Sequence, residues 1–538
     1  MINKLFTTSE YDERIFIINN DDAYTVKDIK YLVSAKIEQI LTASNNAVIC
    51  TDNNFSFIVN FFAAIFAQKE IYLITEPQKI KSLRIDHFVM KNDFSQLKNM
   101  YDFKPIDLDK VIINFYTSGS TNEPKLIKKS LFNLYIEGKD IAKEFNFNNT
   151  NNFYVKTTTT MCHLFGMTFA LMLPLNCNYI IDTNKVLYPE DVNRENCILV
   201  STPAFLSSLK KHNLNFCVRP KYIISAGAKL NDDVFEYFEK KSSIIEIYGS
   251  TETGIIAYRT DFEDKELTIF PNVKIEGNII CSNYIYDECT ETTDNITING
   301  NKLVIYNRKD NVLKIYDKRV SVDALKDKLC RNSLVFDAYF FKYNNKLACY
   351  CALSEDGKKC LIENGTLYLE KLLKKDLREI SEVVPQKWKY CDEIPTKQTG
   401  KIDKEYINKL FSTRFSHPII LNTVKAHDKV DYTIFLSKNS NFYKGHFPEF
   451  PITPGVTQLY FANEIINHYF NINVTSGQIK RIKFMKLLLP NSVVHLTLKK
   501  EENIISYIYY DDTSTYSSGA FSLENIFTKE QKDELLHI

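Results

Sequence analysis

The stretch YTSGSTNEPK, residues 116–125, follows directly on the β-rich run VIINFY at 111–116. Its hydrogen-bonding groups cluster around one glycine and precede one lysine: Thr117, Ser118, Gly119, Ser120, Thr121 and Lys125. Converging N–H and O–H donors with one ammonium group match the acceptors of a triphosphate, so the stretch predicts a phosphate-binding loop. Taken alone, an ordinary turn rich in serine and threonine explains the same residues.

A second polar stretch, EIYGSTETG at 246–254, again ends a β-rich run. It supplies the carboxylate of Glu252, which suits the Mg²⁺ that accompanies ATP because Mg²⁺ prefers oxygen ligands. Two such loops, each at the end of a predicted strand, favour nucleotide binding over two unrelated turns.

Around these loops, short β-rich runs alternate with amphipathic stretches. The runs lie at 71–75, 111–116, 197–201, 222–226 and 244–248, and helical spacing covers 28–41 and 54–68. Strands that alternate with helices predict an α/β domain with largely parallel sheets. From about residue 268 the pattern changes to short strands, turns and two helical candidates near 321–331 and 367–380, which predicts a smaller α+β lobe.

Length and composition exclude several classes of protein. A chain of 538 residues predicts several domains rather than one small binding module. Lys plus Arg (67) and Asp plus Glu (66) nearly balance, so no overall field favours a nucleic-acid partner. No apolar run approaches a membrane span and the start lacks a secretory pattern, so we expect a cytoplasmic protein. Twelve cysteines without a C-x-x-C pair predict mostly buried free thiols.

Up to about residue 410 the chain resembles the adenylate-forming superfamily of acyl-CoA synthetases and adenylation domains. The motifs occur in the family's order: YTSGST-x-x-PK, then His163-x-x-Gly166, then YGSTETG, then the GK of TKQTGKID. The sequence departs from the family pattern at Asn122, at Asn307 and in TTD at 292–294, and the lobe before the phosphate loop is short.

The resemblance implies a role for individual residues. Thr117 to Lys125 would form the phosphate loop, and Glu252 would bind Mg²⁺ with Thr251 beside it on phosphate. Ala226, Gly227 and Tyr248 would contact adenine, and Asp294 with Arg308 would bind ribose. Asp310 would be the hinge of a mobile small lobe, and His163 would line the acyl pocket. Lys401 would contact the reacting carboxylate and the α-phosphate. ATP and Mg²⁺ are the implied cofactors, and a phosphopantetheine thiol of CoA or of an acyl carrier protein (ACP) is the implied acceptor.

A third stretch with candidate catalytic residues is NFYKGHFPEFPITPGVTQLYFANEII, residues 441–466. It places His446 in a turn between glycine and prolines, and a Pro-x-x-Pro-Gly then opens a helix at about Val456. A rigid loop, a base and open N–H groups at a helix start can together enolise a thioester. A lone histidine in a turn is also commonly a structural residue.

The pattern GHFP-x-x-P-x-x-PGV, with a strand before it and four strand-like runs after the helix, is similar to the hotdog-fold β-hydroxyacyl-ACP dehydratases over about residues 420–538. The resemblance implies that His446 is the base and that the amides of Gly455 and Val456 polarise the thioester carbonyl. Tyr460 stands where the family has its acid. Glu464, one turn further on the same helix face, is the alternative carboxylate, and the Tyr460 hydroxyl is the alternative donor.

We therefore expect three parts: a large adenylation lobe (1–307), a small mobile α+β lobe (308–410) and a hotdog dehydratase-like domain (411–538). The expected function is an ATP-dependent acyl-ACP or acyl-CoA synthetase fused to a 3-hydroxyacyl-ACP dehydratase, in fatty-acid or aryl-polyene-type biosynthesis. Expected partners are a small carboxylic acid, an acyl carrier protein and a second copy of the chain. A ligase whose hotdog domain only dimerises or binds acyl groups, and a peptide-synthetase-like adenylation enzyme, stay open as alternatives.

Overall fold

The computed structural model describes most of the chain. The described residues are 2–75, 77, 80, 83, 85–92, 99–118, 124–147, 153–308, 312–315, 318–396, 402–413, 417–426, 428–444, 447, 449–470, 472 and 479–523, with the backbone alone at 117, 118, 124, 306–308, 312 and 319. The chain divides into two compact units, residues 1–310 with 396–401 and residues 311–395 with 402–538.

The larger sheet of the first unit has eleven strands among the described residues. In spatial order they are Asp294–Asn299, Lys302–Arg308, Leu267–Ile269, Gly254–Arg259, Ser243–Ser250, Tyr222–Ser225, Cys197–Ser201, Tyr154–Thr157, Ile180–Asp182, Ile15–Asn19 and Asp22–Thr25. The six from Ser243–Ser250 to Ile15–Asn19 run parallel, and the outer strands are antiparallel. Their carboxyl ends therefore meet at one edge.

Two smaller sheets complete the first unit. One is ordered Phe88–Val89, Asn46–Ile49, Glu70–Leu73, Ile112–Ser118 and Pro124–Ser130, and the other is ordered Lys274–Glu276, Ile279–Cys281 and Cys289–Glu291. The first four strands of the five-stranded sheet are parallel, and Pro124–Ser130 returns antiparallel to Ile112–Ser118. The predicted phosphate loop lies between those last two strands.

The helices of the first unit follow from their caps and apolar content. They are Ile2–Thr7, Val26–Ile40, Asn54–Phe66, Leu131–Glu144, Leu164–Met167, the π-helical turn Thr168–Met172, Leu173–Cys177, the 3₁₀ turn Pro189–Asp191, Pro203–Lys211 and Asp232–Glu239. Thr25 and Asp28 form a capping box at the start of Val26–Ile40. Asn54–Phe66 is buried on all sides, as its nearly continuous apolar sequence predicts.

The second unit contains three sheets and six described helical segments. The two-stranded sheet pairs Val312–Ile315 with Lys318–Ser321, and the three-stranded sheet is ordered Val335–Tyr343, Lys346–Leu353 and Lys387–Cys391. The six-stranded sheet is ordered Ile419–Lys425, Lys429–Phe435, Val493–Glu501, Ile504–Tyr510, Thr515–Ser522 and Ile479–Phe484. The helical segments are Val322–Cys330, Glu355–Asn364, Thr366–Arg378, Lys404–Ser412, the 3₁₀ turn Asn441–Tyr443 and Gly455–Phe470. The six-stranded sheet is antiparallel throughout and, with one long helix, agrees with the predicted hotdog domain.

The two predicted C-terminal domains pack against each other within this unit. Leu421 and Phe435 of the six-stranded sheet belong to the same buried cluster as Leu329, Leu353 and Leu373 of the small lobe. This shared core makes 318–413 and the C-terminal sheet one body, and the division at residue 410 stays a prediction.

The predicted runs at 71–75, 111–116, 197–201, 222–226 and 244–248 all coincide with strands, and the four helical stretches coincide with helices. The strand Ile419–Lys425, in contrast, was not predicted, because IILNTVK lacks the alternation that marks a half-buried strand. A disulfide joins Cys281 to Cys289, which are paired across neighbouring strands. Nothing in the sequence around these two cysteines signals that pairing, and ten described cysteines are free as expected.

Candidate active sites

The predicted adenine and ribose residues meet at the edge of the large sheet. Tyr248, near the carboxyl end of the last parallel strand, donates its hydroxyl hydrogen to Oδ2 of Asp294 over 2.6 Å. Asp294 is 6% exposed and lies opposite Arg308 in the register of their two strands. Three residues predicted from the sequence therefore lie on three strands, with Tyr248 and Asp294 in contact and Arg308 opposite Asp294. Open α/β sheets bind ligands at this kind of edge.

Glu252 lies in the turn that follows the same strand. Its Oε1 is 3.8 Å from the ammonium nitrogen of Lys125, and both side chains reach solvent. Lys125 follows the predicted phosphate loop, so a carboxylate that suits Mg²⁺ and a cation that suits phosphate lie side by side. This donor set fits a magnesium–nucleotide complex, with Glu252 as the metal's ligand and Lys125 toward the phosphates.

Hydrogen bonds fix the turn that carries Glu252 and Thr251. The backbone N–H of Ser250 donates to the Thr253 hydroxyl over 3.1 Å, and the N–H of Thr253 donates to the Ser250 hydroxyl over 3.2 Å. A Cβ on Gly249 would lie 2.2 Å from the carbonyl oxygen of Gly254, so the two backbones approach too closely for any side chain. The glycines of YGSTETG are thus explained by packing.

A buried pair of charged residues, which the sequence analysis missed, supports this turn. Lys129 is fully buried and donates to the carbonyl oxygens of Tyr284 over 2.6 Å and of Glu252 over 3.5 Å. Glu137 accepts hydrogen bonds from the N–H of Ile255 over 2.7 Å and from the Thr168 hydroxyl over 2.9 Å. Burial lowers the pKa of Lys129 to about 8 and raises the pKa of Glu137, and each opposes the other's shift.

One weak feature of the sequence could have indicated that Lys129 lies near the site. It lies four residues after Lys125 on the same strand, so the two side chains share a face of the sheet. Glu137 gave none, because a carboxylate on an amphipathic helix normally lies in solvent.

The other predicted residues of this unit lie at neighbouring strand ends. Ala226 is buried and Gly227 has a φ of +93°, a backbone conformation that favours glycine. His163 precedes the helix Leu164–Met167 as its N-cap residue, and its ring is half-buried. A Cβ on Gly166 would lie 2.2 Å from the carbonyl oxygen of Thr160, which accounts for the glycine of the H-x-x-G motif.

Several predicted site residues lie outside the described part of the chain, and their roles stay predictions. These are Gly119, Ser120, Thr121, Asp310, Lys401 and His446. For Thr117, Ser118 and Arg308 only the backbone is described, in the strands Ile112–Ser118 and Lys302–Arg308.

In the C-terminal domain the helix begins at Gly455, as the proline-rich loop predicted. The ring of Phe484 occupies the space where a Gly455 side chain would be, since a Cβ there would lie 2.5 Å from Cζ. Val456 is 74% exposed. The first turn of a helix leaves N–H groups open, so these two residues suit the proposed contact with a carbonyl oxygen.

Gln458, which the sequence analysis did not single out, fixes this helix start. Its Oε1 accepts a hydrogen bond from the Ser517 hydroxyl over 2.6 Å, and its Nε2 donates to the carbonyl of Thr453 over 3.2 Å. Its own carbonyl accepts from the hydroxyl of Tyr509 over 2.8 Å. The buried amide therefore ties the loop and helix to the sheet.

Tyr460 and Glu464 lie on one face of the helix, as expected from their spacing. A carboxylate oxygen of Glu464 is 3.1 Å from the ammonium nitrogen of Lys409, on the helix Lys404–Ser412. The ring of Tyr460 lies 6.0 Å from the ring of His417, and burial, followed by Glu464, raises the pKa of its phenol. The helix face that carries the two candidate acids thus also contacts the small lobe and the segment that follows it.

Comparison with known proteins agrees with both halves of this description. Residues 32–276 match the model of the AMP-binding enzyme family. Residues 422–520 match the model of the ApeI-like family, described as ApeI dehydratase. A 4-coumarate–CoA ligase from Cereibacter sphaeroides is 23% identical over 300 residues, which cover 54% of this chain and 70% of the relative.

Solved structures of similar fold are adenylate-forming enzymes. ATP-bound MatB from Rhodopseudomonas palustris superposes with a TM-score of 0.59 at 14% identity, over 76% of this chain and 98% of that one. A benzoate CoA ligase from Burkholderia xenovorans gives 0.58 at 16% identity, over 75% and 98%.

The family match and the curated relative support an enzyme of the AMP-forming acid–thiol ligase class. In particular, it joins an AMP-binding enzyme domain to an ApeI-like dehydratase domain, as the two resemblances predicted. Among the described residues, no helix combines the length and apolar content that a bilayer crossing needs.

Proposed function

We propose that the chain activates a small carboxylic acid as its acyl adenylate, transfers the acyl group to a phosphopantetheine thiol, and dehydrates 3-hydroxyacyl thioesters in its C-terminal domain. The observation that supports the first half best is that Tyr248 contacts Asp294 while Glu252, in the turn after the same strand, contacts Lys125 of the five-stranded sheet. The match of residues 422–520 supports the second half.

In adenylation, a carboxylate oxygen of the acid attacks the α-phosphorus of ATP and pyrophosphate leaves. Glu252 would hold Mg²⁺, which supplies charge neutralisation at the phosphates, while Asp294 and Tyr248 position ribose and adenine. Lys401 would offset the charge that develops between the acyl oxygen and the α-phosphate. In the second step the thiol sulfur attacks the acyl carbonyl carbon, loses its proton and expels AMP.

In dehydration, His446 would take the proton α to the thioester, and the amides of Gly455 and Val456 would stabilise the enolate oxygen. The β-hydroxyl then leaves as water with a proton from an acid. Glu464 or Tyr460 would supply that proton. Both halves act on acyl groups carried through phosphopantetheine, so one acyl carrier protein serves both, as in fatty-acid or aryl-polyene-type biosynthesis.

The C-terminal sheet also supports the proposed homodimer. Ile479–Phe484 is an edge strand whose residues from Lys480 onward are exposed. Exposed apolar side chains lie on it or directly after it in the chain: Ile482, Phe484, Met485 and Leu487. An exposed edge with apolar side chains favours pairing with another copy.

The ligase proposal is tested by ATP–pyrophosphate exchange across fatty, aromatic and hydroxy-aromatic acids. We expect exchange with one class of acid, a loss of about 10²- to 10³-fold in Lys401→Ala, and a defect in Glu252→Gln that added Mg²⁺ partly relieves. Unchanged exchange in Lys401→Ala contradicts the assignment. Transfer to CoA, to an acyl carrier protein or to a peptide-synthetase carrier separates the alternative acceptors.

The dehydratase proposal is tested by hydration of a carrier-bound enoyl thioester by the full chain. We expect His446→Ala to abolish hydration, Glu464→Gln to lower it by about 10²-fold or more, and Tyr460→Phe to lower it less. A larger defect in Tyr460→Phe would identify the phenol as the donor. No hydration by the wild-type chain would favour a domain that only dimerises or binds acyl groups.

A further inference from the structure

The backbone of the turn that carries Glu252 is held by two buried charged side chains. Lys129 is fully buried and Glu137 is 1% exposed. The ammonium group of Lys129 donates to the carbonyl oxygen of Glu252 itself over 3.5 Å. The carboxylate of Glu137 accepts the N–H of Ile255, at the beginning of the strand that follows the turn, over 2.7 Å. Two buried charges therefore act on the short segment 252–255.

Each of these side chains also bonds to a different part of the first unit. Lys129 donates to the carbonyl oxygen of Tyr284 over 2.6 Å, and Glu137 accepts from the Thr168 hydroxyl over 2.9 Å. A charged group that is buried is stable only where its hydrogen bonds are made, and such bonds are strong and depend on geometry. Both residues therefore favour one position of the turn relative to these two segments.

The packing at Gly254 shows how closely the network lies against the turn. A Cβ at this glycine would lie 2.7 Å from Oε1 of Glu137 and 2.8 Å from the Cβ of Tyr284. The backbone also has a φ of +73° there, a conformation that favours glycine. The turn therefore cannot shift toward the helix Leu131–Glu144 without a clash, and it cannot shift away without breaking buried hydrogen bonds.

Stability alone does not explain two buried charges at this place. Well-packed apolar residues often stabilise a core as well as a buried pair of charges does, or better. Position is a better explanation, because Mg²⁺ accepts oxygen ligands only in nearly octahedral geometry at about 2.1 Å. The carboxylate of Glu252, which lies 3.8 Å from Lys125, must be placed to that precision if it is to bind the metal.

We propose that Lys129 and Glu137 are positioning residues for the metal ligand Glu252, and that they hold its turn in the metal-binding geometry before the nucleotide arrives. This role rests on the proposed function, because it needs a magnesium–nucleotide complex at the site. The two residues then determine how much Mg²⁺ strengthens the binding of ATP, whereas the affinity for metal-free ATP depends on other groups.

Calorimetric titration of the full chain with ATP, without any acid substrate, measures this effect apart from catalysis. We expect Lys129→Met to weaken ATP binding by about 10-fold in the presence of Mg²⁺ and by less than about twofold in EDTA. Lys128→Met is the matched control, because this neighbouring lysine is exposed and lies over the ring of Tyr286. It should leave both affinities within about twofold of the wild type.

A double variant separates positioning from stability. Lys129→Met leaves the Glu137 carboxylate buried without a nearby cation, so the melting temperature should fall by several degrees. Lys129→Met combined with Glu137→Gln removes both charges, and the melting temperature should return toward the wild-type value. The Mg²⁺-dependent affinity should stay about 10-fold weaker, because no group donates to the Glu252 carbonyl.

Hydrogen exchange of the ligand-free chain supplies a readout that needs neither metal nor nucleotide. Exchange at residues 249–256 should be faster in Lys129→Met and in the double variant than in the wild type and Lys128→Met. Unchanged exchange, equal weakening of ATP binding with and without Mg²⁺, or an affinity that recovers with the melting temperature in the double variant would each overturn the positioning role. A wild-type chain whose ATP affinity does not depend on Mg²⁺ would instead contradict the proposed nucleotide site, and this role with it.

Discussion

The two candidate active sites of this chain are built in different ways. In the first unit, residues from several strands meet near one sheet edge, and buried hydrogen bonds of Lys129 and Glu137 support the turn that carries Glu252. In the C-terminal domain, both candidate acids lie on one helix, and the face that carries them also contacts the small lobe.

This difference between the two sites decides whether a polar residue can be assigned to one function or to two. Tyr248 and Glu252 lie at and just after the carboxyl end of a parallel strand, where open α/β sheets bind ligands, so nucleotide binding is the one task proposed for them. Glu464 has a second explanation, because its carboxylate also pairs with Lys409 at an interdomain contact. The predictions below test each side of this comparison.

The largest effect is expected from Gly249→Ala in the first site. The new methyl group would lie 2.2 Å from the carbonyl oxygen of Gly254, so the two strands must separate. We expect a loss of about 1–3 kcal/mol in unfolding free energy. Displacement of Tyr248 and Glu252 should also lower ATP–pyrophosphate exchange by about 10²-fold.

Gly300→Ala is the matched control for that substitution. Gly300 lies in the turn between the strands Asp294–Asn299 and Lys302–Arg308 of the same sheet and has a φ of +60°, but nothing lies within 4 Å of its added Cβ. Its cost should be about 1 kcal/mol from backbone strain alone, with exchange retained. Equal loss of exchange in both variants would mean that the site does not depend on the close approach at Gly249.

A smaller effect is expected from Tyr248→Phe, which removes the hydrogen bond to Asp294. Asp294 then loses a donor that orients it, so KM for ATP should rise by about 10-fold with a smaller change in kcat. Tyr258→Phe is the control, because Tyr258, on the neighbouring strand Gly254–Arg259, donates to Glu144 at the end of the helix Leu131–Glu144 and to no predicted site residue. An unchanged KM in Tyr248→Phe would remove this pair from the nucleotide site.

Particular residues show what the sequence could and could not predict. The strand CILVS at 197–201 was readable because a continuous apolar run is typical of a strand buried on both faces, and all five of its residues are buried. Tyr248, Glu252 and Asp294 were predicted from motifs in the family's order, and Tyr248 does contact Asp294, but their roles in nucleotide binding stay predictions. These features are local in sequence.

The features that were missed depend on residues far apart in the chain. Glu137 meets Ile255 over a separation of 118 residues, and Lys129 meets Tyr284 over a separation of 155. Gln458, on the helix Gly455–Phe470, accepts a hydrogen bond from Ser517 of the C-terminal sheet over a separation of 59 residues. Such partners are chosen by tertiary packing, and a single sequence contains no periodicity or motif that reports them.

The contact between the small lobe and the C-terminal domain should weaken in acid because of His417. Burial, followed by Lys389 and Lys409, lowers its pKa to about 4 in the folded chain, against about 6.5 in an unfolded one. Between these values the unfolded chain binds more protons, so stability falls as the pH falls from about 6.5 to 4. The expected slope is about 1 kcal/mol per pH unit, reduced from the full value because the ring is partly exposed.

Urea unfolding followed by Trp388 fluorescence measures this slope, and His417→Gln should remove it. The groups facing His417 are the Thr413 hydroxyl, which is 3.0 Å from Nε2, the rings of Tyr460 and Phe461, and the two lysines. His495→Gln, in the C-terminal sheet, is the histidine control. If the slope persists in His417→Gln, another group is responsible for it.

The smallest effect is expected from Lys409→Met, and it decides what Glu464 does. The lysine is 51% exposed and the carboxylate 23% exposed, so losing the pair should cost only about 0.5–1 kcal/mol. If Glu464 serves dehydration, its carboxylate stays in place without Lys409, and enoyl-thioester hydration should remain within about threefold of the wild type, unlike in Glu464→Gln. If Glu464 serves the interdomain contact alone, Glu464→Gln and Lys409→Met should lower the melting temperature equally. The two variants should then also hydrate the enoyl thioester at the same rate. The ratio of the hydration rates of Glu464→Gln and Lys409→Met therefore shows whether the Glu464 carboxylate acts in dehydration. The stability change cannot show this, because it is expected to be the same in both cases.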